Sequence, residues 1–384
     1  MTGLGVVTAD GDGHEVFWRS LFTPPPPGHR TMADWDPAPW LGPRETRVLD
    51  RFTQFAVAAA DLALRDAGRP VSDPTRSGVL VATALAGMAT VERQAVALRE
   101  RGERRVSPHF VPMFMPNAAP AAVSMRNGWR GPCETIQTAC AAATHAIGRA
   151  AKLIANGECD LMLAGGTEAA ATPLVVAGFT NMRALSSTRR LRPFDGERDG
   201  FVIAEGAALL VLEERDAATA RGARIYGEVM GLGSTADAHD ITAPRSDGAG
   251  AAECMRLALR DAGVEPAAVR QINAHGTGTL LNDAAEARAV SAVFGPETPP
   301  VTSTKGATGH AFGAGGALEA VAVLLSMRHR VIPPTIGLEK VDPEMSLDVV
   351  TGSGRAWAPG PALSNSFGFG GHNGCLVLGP GGEP

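Results

Sequence analysis

Short β-branched runs alternate with alanine- and glycine-rich helical stretches along this chain, and the rhythm occurs twice. Strands that recur between helices imply an α/β fold with much parallel pairing, because a crossover helix brings the chain back to start the next strand. In the first half, the pattern predicts a helix over 53–67 that stops at Gly68 and a strand over 79–84. A strand over 134–138 follows, then a helix over 141–155 halted by Asn156-Gly157, and strands over 161–164 and around 208–212. In the second half, strands are expected over 225–232, 269–274, 300–303 and 376–378. Helices are expected over 251–262, after Asp283, and over 313–327. The halves divide near Arg224, so residues 1–224 and 225–384 read as an internal duplication, visible in element order rather than in residue identity. Residues 1–50 read as irregular, with a surface loop at Pro24–Pro27, and the proline-interrupted stretch 113–124 takes no assignment.

Composition narrows the classes. Aromatic residues are only 5% of the chain against 45% hydrophobic, so the apolar content is small and aliphatic, suited to helices packed closely on sheets. Lys and Arg total 35 against 40 acidic residues, and no basic stripe carries aromatics, which argues against nucleic acid. A local cluster, Arg189, Arg190 and Arg192, reads either as a solvated face or as a dock for an acidic partner. No apolar run approaches the ~18–20 residues of a membrane span, and no signal peptide is apparent. The five cysteines form no CxxC pair, so neither a zinc site nor a disulfide framework is expected, and a reducing cytoplasm fits.

One of these cysteines invites chemistry. Cys140 lies between an expected strand and an alanine-rich helix. Unpaired N–H groups and partial positive charge at a helix start favour a thiolate, so a lowered pKa is expected there. The bland alternative is a buried structural cysteine. Two histidines shift the balance. His275 sits in Asn273-Ala274-His275-Gly276-Thr277-Gly278-Thr279 at a strand end, and His310 closes Ser303-Thr304-Lys305-Gly306-Ala307-Thr308-Gly309-His310 ahead of a helix. Alone, either would be a hydrogen-bonded turn residue. Together with a poised cysteine, two neutral imidazoles can hold a carbonyl oxygen or shuttle a proton. Lys305 adds a cation, and Glu319 in the following helix could hold it. No GxSxG elbow, GxxxxGK[ST] loop or HExxH pair occurs.

These segments resemble the β-ketoacyl-acyl carrier protein synthases, the elongating condensing enzymes of the thiolase superfamily, and look most like the KAS II branch and its type II polyketide relatives. The resemblance rests on Thr138-Ala139-Cys140, on the two histidine motifs, on Arg192-Pro193-Phe194-Asp195 with Arg198-Asp199-Gly200-Phe201, and on Asn365-Ser366-Phe367-Gly368-Phe369-Gly370-Gly371. It covers essentially the whole chain. It implies a five-layer αβαβα fold built from two related halves, an obligate dimer, and no cofactor or metal. It implies that Cys140 accepts an acyl group from acyl carrier protein, and that His275 and His310 hold the malonyl thioester while carbon dioxide leaves. Loss of His310 would then spare acylation and cost decarboxylation. The backbone N–H groups of Cys140 and Phe369 would form the oxyanion hole, with Phe369 also the gate, and Lys305 and Glu319 the supporting pair. Leu85 and Phe179 would bound the acyl pocket. Thr277, Thr279, Phe367 and Gly370 would meet substrate, and Arg44, Arg47 and Arg183 would dock the carrier protein.

Departures from the family pattern are the chain's opening directly at a Thr2-Gly3-Leu4-Gly5 turn, His372 in place of threonine, and Leu280 in place of proline. Competing readings are a thiolase using Cys375 as a second cysteine, a silent chain-length-factor relative, a ketosynthase subunit paired with such a factor, and an acyltransferase that does not decarboxylate. The intact Cys140, His275, Lys305 and His310 argue against silence, and the histidine pair argues for decarboxylation.

Overall fold

The computed structural model describes residues 1–381. Two mixed sheets carry the chain. The first orders its strands β2 (Gly11–Asp12), β1 (Gly3–Thr8), β6 (Gly206–Glu213), β5 (Leu161–Glu168), β3 (Ser77–Ala82) and β4 (Cys133–Glu134). The second runs β7 (Gly227–Ala236), β13 (His372–Pro380), β12 (Ala362–Gly368), β8 (Gln271–Asn273) and β9 (Val301–Thr302). A two-stranded ribbon, β10 (Val331–Ile332) with β11 (Arg355–Ala356), lies apart.

The second sheet repeats the first. Along β1-β6-β5-β3-β4 the pairings are antiparallel, antiparallel, parallel and parallel. Along β7-β13-β12-β8-β9 they follow the same sequence. The expected parallel pairing therefore accounts for only half of each core sheet.

Helices Ala142–Ala155 and Gly315–His329 pack between the sheets, each touching strands of both. Their residues explain why. Ala142, Ala143, Ala146 and Ala150 on one helix, and almost every residue of Gly315–Met327 on the other, are buried. The second is buried on all sides and needs a layer on each flank, whereas the first keeps an exposed strip at Arg149, Lys152 and Ala155 and buries the rest. Helix Arg51–Asp66 covers the outside of the first sheet, and helix Ala249–Ala262 covers the second. The result is the five-layer αβαβα arrangement.

Several expectations are corrected. The N-terminal segment is no turn: β1 is a fully buried strand inside the first sheet. Its glycines serve close approach rather than a bend. A Cβ on Gly5 would sit 1.9 Å from the Ala59 carbonyl oxygen of the covering helix, so no larger residue fits there. The stretch 113–124 becomes the end of a short helix, Phe110–Phe114, and most of a second, Ala118–Asn127. The strand expected over 134–138 ends at Glu134. Beyond it, side chains take over from the ladder: Thr135 Oγ1 donates to the Val81 carbonyl (2.7 Å) and Gln137 Nε2 to that of Ala84 (2.9 Å). That hand-over lets the chain leave the sheet edge and turn inward at Cys140.

Candidate active site

Cys140 occupies a 3-10 turn, Ala139–Ala141, that leads into helix Ala142–Ala155. Ala139 before it has φ +49°, a left-handed conformation costly for a residue with a Cβ. That strained step aims the sulfur. Sγ lies 3.0 Å from His310 Nε2, and the rings of His275 and His310 meet edge to face at 5.4 Å. The thiol and one nitrogen from each ring fall within 4.8 Å of one another. That donor set also has the softness and spacing a divalent metal such as zinc accepts.

The electrostatics are set by burial. His275 and His310 are each 2% exposed. Burial first, then the Lys305 cation, holds both imidazoles well below the ordinary histidine value, and His310 adds to the effect on His275. Both rings therefore stay neutral near pH 7. Lys305 Nζ lies 3.3 Å from His275 Nδ1, donates to the His275 carbonyl at 2.6 Å, and pairs with Glu319. A cation donating to Nδ1 leaves the ring proton on Nε2, so His275 presents an N–H donor toward the thiol. Glu319 is itself held by Ser366 Oγ, and its carboxyl is raised by burial against the pull of Lys305.

The cysteine behaves differently from expectation. Burial pushes its thiol up to about 12, and the opposing pull of Lys305 is smaller. The resting residue is a thiol, and the neutral His310 at 3.0 Å is the base nearest to its proton. Alkylation of Cys140 by iodoacetamide should therefore rise ~tenfold per pH unit from pH 7 to 10 without levelling off. A plateau below pH 8 would show that the helix start outweighs burial.

Three carboxylates that sequence reasoning missed hold this geometry. Glu286 (1% exposed) accepts the N–H groups of His275 and Gly276, both at 2.8 Å. Glu168 (fully buried) accepts those of Ala84, Leu85 and Gly313. Burial raises both carboxyls to about 7 despite these donors. Asp283 accepts the N–H groups of Phe194 and Gly278. A further histidine, His145, joins Thr138 Oγ1 (2.7 Å) to the Asn373 carbonyl (3.1 Å), tying the segment before Cys140 to β13. Isolated acidic or histidine positions inside helices or at a strand end carry no local signature, so only the tertiary contacts reveal them.

A cavity of about 420 Å³ opens onto Cys140, His275 and His310. Leu85, Phe179, Thr277, Thr279, Phe367 and Phe369 line it. Lys305 and Glu319 stand behind the wall rather than in it. Phe312 and Phe201 were not foreseen as lining residues. Phe312 stacks on Phe179 at 5.2 Å and packs against His310, and Phe201 meets His310 edge to face at 5.4 Å. Gly370 does not line the cavity; its N–H donates to the Ile241 carbonyl, while Gly368 and Gly371 form the wall. Arg183 is exposed and lines the cavity, but Arg44 and Arg47, on helix Pro43–Val48, do not. His372 is partly buried and absent from the wall. Cys375 is buried in β13, where a thiolase base would need access.

Gly368 is a further requirement. A Cβ there would lie 2.9 Å from the Thr138 oxygen and 3.0 Å from the Cys140 nitrogen. Gly368→Ala should cost about 1–3 kcal/mol and displace the cysteine turn. Thermal melting and the acylation rate should both fall; a variant unchanged in both would refute the contact.

A thiol in contact with a neutral imidazole, set between the layers of a duplicated αβαβα sandwich, is the arrangement of a thiolase-fold acyltransferase. The chain belongs to the β-ketoacyl synthase family. Its residues 28–218 match the family model "Beta-ketoacyl synthase, N-terminal domain", and residues 226–339 match "Beta-ketoacyl synthase, C-terminal domain". It is 42% identical to the 3-oxoacyl-[acyl-carrier-protein] synthase 2 of Synechocystis sp. (98% of this chain, 97% of the relative). Among solved structures, the ishigamide ketosynthase/chain length factor superposes with TM-score 0.93 at 32% identity, covering 100% of this chain and 98% of that one. A type II polyketide acyl-carrier protein in complex with its ketosynthase bound to the hexaketide gives TM-score 0.89 at 32% identity (99% and 98% covered).

Proposed function

We propose that this protein is a 3-oxoacyl-acyl carrier protein synthase of the KAS II type, extending a fatty acid or polyketide chain by decarboxylative condensation. The observation that carries the reading is the 3.0 Å contact of Cys140 Sγ with His310 Nε2, in a cavity that also admits His275. In the first half-reaction, the Cys140 sulfur attacks the carrier-bound acyl thioester. His310 takes the thiol proton at Nε2 and returns it to the departing carrier thiol. Malonyl carrier protein then binds. Its carbon–carboxylate bond breaks, carbon dioxide leaves, and the electron pair enters an enolate whose oxygen accepts from the His275 Nε2–H and from His310 in its Nε2–H tautomer, which no partner at Nδ1 opposes among the described residues. The enolate carbon attacks the acyl-cysteine carbonyl. The tetrahedral oxyanion accepts from the N–H groups of Cys140 and Phe369; its collapse breaks the carbon–sulfur bond, releases the 3-oxoacyl carrier protein and expels the Cys140 thiolate, which takes one proton from solvent to restore the thiol.

Lys305 and Glu319 act as positioning residues that fix the His275 tautomer. Leu85, Phe179 and Phe367 contact the acyl chain or its gate at Phe369, while Thr277 and Thr279, whose hydroxyls lie 3.0 Å apart, face the carrier arm. Arg183 at the cavity supports docking of the acidic carrier protein, with Arg44 and Arg47 as a more distant part of that surface. The resemblance to a ketosynthase/chain length factor supports a two-chain particle, either a homodimer or a heterodimer with a factor-like subunit. The repeated sheets support two halves, 1–224 and 225–384. No helix among the described residues is long and apolar enough to cross a membrane, and the five cysteines are unpaired, which suits the cytoplasm proposed for the reaction.

The test is a product assay with malonyl carrier protein and a ladder of acyl primers. A 3-oxoacyl product formed with equimolar carbon dioxide supports the reading. Acyl transfer to another acceptor with no carbon dioxide released would replace it with the non-decarboxylating alternative.

A further inference from the structure

The arginine cluster noted in the sequence belongs to none of the surfaces above. It lies on a second cavity, of about 340 Å³, bounded by Pro24–Pro26, Gly28, Arg30, Arg189–Arg192, Val202, Lys305, Gly306, Gly309 and the segment Ile336–Glu339. The catalytic cavity shares neither the arginines nor Lys305 with it. Lys305 is the common partition: its ammonium reaches His275 on one side, and the residue forms part of the second cavity's wall on the other.

The charge on this wall is one-sided. Arg30, Arg189, Arg190 and Arg192 face a single carboxylate-bearing residue, Glu339, while the Lys305 ammonium is turned away to His275 and Glu319. Arg189 and Arg190 are exposed and make no ion pair among the described residues. Arg192 reaches Glu197 only at 3.8 Å. Arg30 is nine-tenths buried and pairs with Asp10 through Nη2, yet its Nε–H has no hydrogen-bond partner. The Nε–H of Arg192 is likewise buried and unpartnered. These Nε atoms are covered by protein, so an anion in the cavity would meet the terminal Nη groups, most openly those of the exposed Arg189 and Arg190. Guanidinium groups match the oxygens of phosphate better than any other side chain does. Leu191, Val202, Ile336 and Leu338 supply apolar wall beside the cations.

We propose that this cavity is a binding site for a phosphate-bearing small molecule, its oxyanion held by Arg30, Arg189, Arg190 and Arg192. The shared chemistry is a multiply charged phosphoryl group, free or esterified. An ester would also seat its organic body on the apolar wall.

Isothermal titration calorimetry at fixed ionic strength tests the site with three probes: inorganic phosphate, inorganic pyrophosphate and phenyl phosphate. Pyrophosphate should bind at one site per chain. The double variant Arg189→Gln/Arg190→Gln should weaken it by roughly tenfold or more, the loss of one charge-assisted bond or more. Both side chains are exposed, so the variant should melt as the parent does. Arg44→Gln/Arg47→Gln, outside this cavity's wall, should bind pyrophosphate unchanged. Phenyl phosphate binding tighter than phosphate identifies an ester as the ligand class; equal binding identifies the free anion. No saturable heat up to ~5 mM pyrophosphate, or equal affinity in the Arg189/Arg190 variant, overturns the proposal. Condensing activity does not enter the measurement, so the outcome is independent of the reaction assigned to Cys140.

Discussion

Cys140→Ala should end acyl-enzyme formation. Intact-protein mass spectrometry after incubation with acyl carrier protein should show the acyl mass increment on the parent protein and none on the variant, with condensation lowered by ~10⁴-fold or more. The expectation follows from where the sulfur sits. It is the thiol that the cavity brings against His310, and no other cysteine lines that wall. Cys254 and Cys375 are buried in the core of the second half, and Cys133 is exposed at the sheet edge. Alanine removes only the sulfur, and its neighbours Ala139 and Ala141 are already alanine, so the turn should persist. An adduct that survives on the variant would move the nucleophile elsewhere.

The two histidines should separate when each is replaced by alanine. His275→Ala should still acylate at a rate close to the parent and lose most release of carbon dioxide from malonyl carrier protein, by ~10²–10⁴-fold. His310→Ala should lose both. The resemblance alone implies that His310 is spared in acylation. Geometry revises this, because its Nε2 is hydrogen-bonded to a thiol that burial has pushed up to about 12. A thiol of that kind needs a base, and His310 is in contact. His275 instead has its ring fixed by Lys305 as an Nε2–H donor, suited to an enolate oxygen rather than to a thiol proton. Separate measurement of adduct formation and carbon dioxide release decides the matter. Full acylation by His310→Ala would return the thiol's activation to the helix start.

Much of this site was legible because its parts are local motifs. A cysteine before an alanine-rich helix, and histidines in glycine-rich turns at strand ends, keep their character wherever the chain goes. The supporting carboxylates were not. Glu286 lies in the interior of helix Leu280–Phe294, yet it closes onto the His275 turn, 11 residues earlier in the chain. Glu168 ends β5 and grips Ala84, Leu85 and Gly313, segments 83 to 145 residues distant. Phe312 lies two residues after His310, and only packing shows that it stacks on Phe179. The N-terminal strand was misread for a similar reason. Glycine marks a turn by local propensity, whereas Gly3 and Gly5 are there because a helix backbone crosses them.

Periodicity and composition by themselves determined the α/β class and the doubled rhythm of elements, since these follow from which faces of each segment are apolar. Residue type determined which groups could react. The tertiary structure decided their protonation states, because those depend on desolvation and on the charge of Lys305, and both arise only when segments far apart in the chain enclose a common space. It likewise decided that three arginines, ordinary as a surface run, join the distant Arg30 around a cavity whose inner wall includes that same lysine.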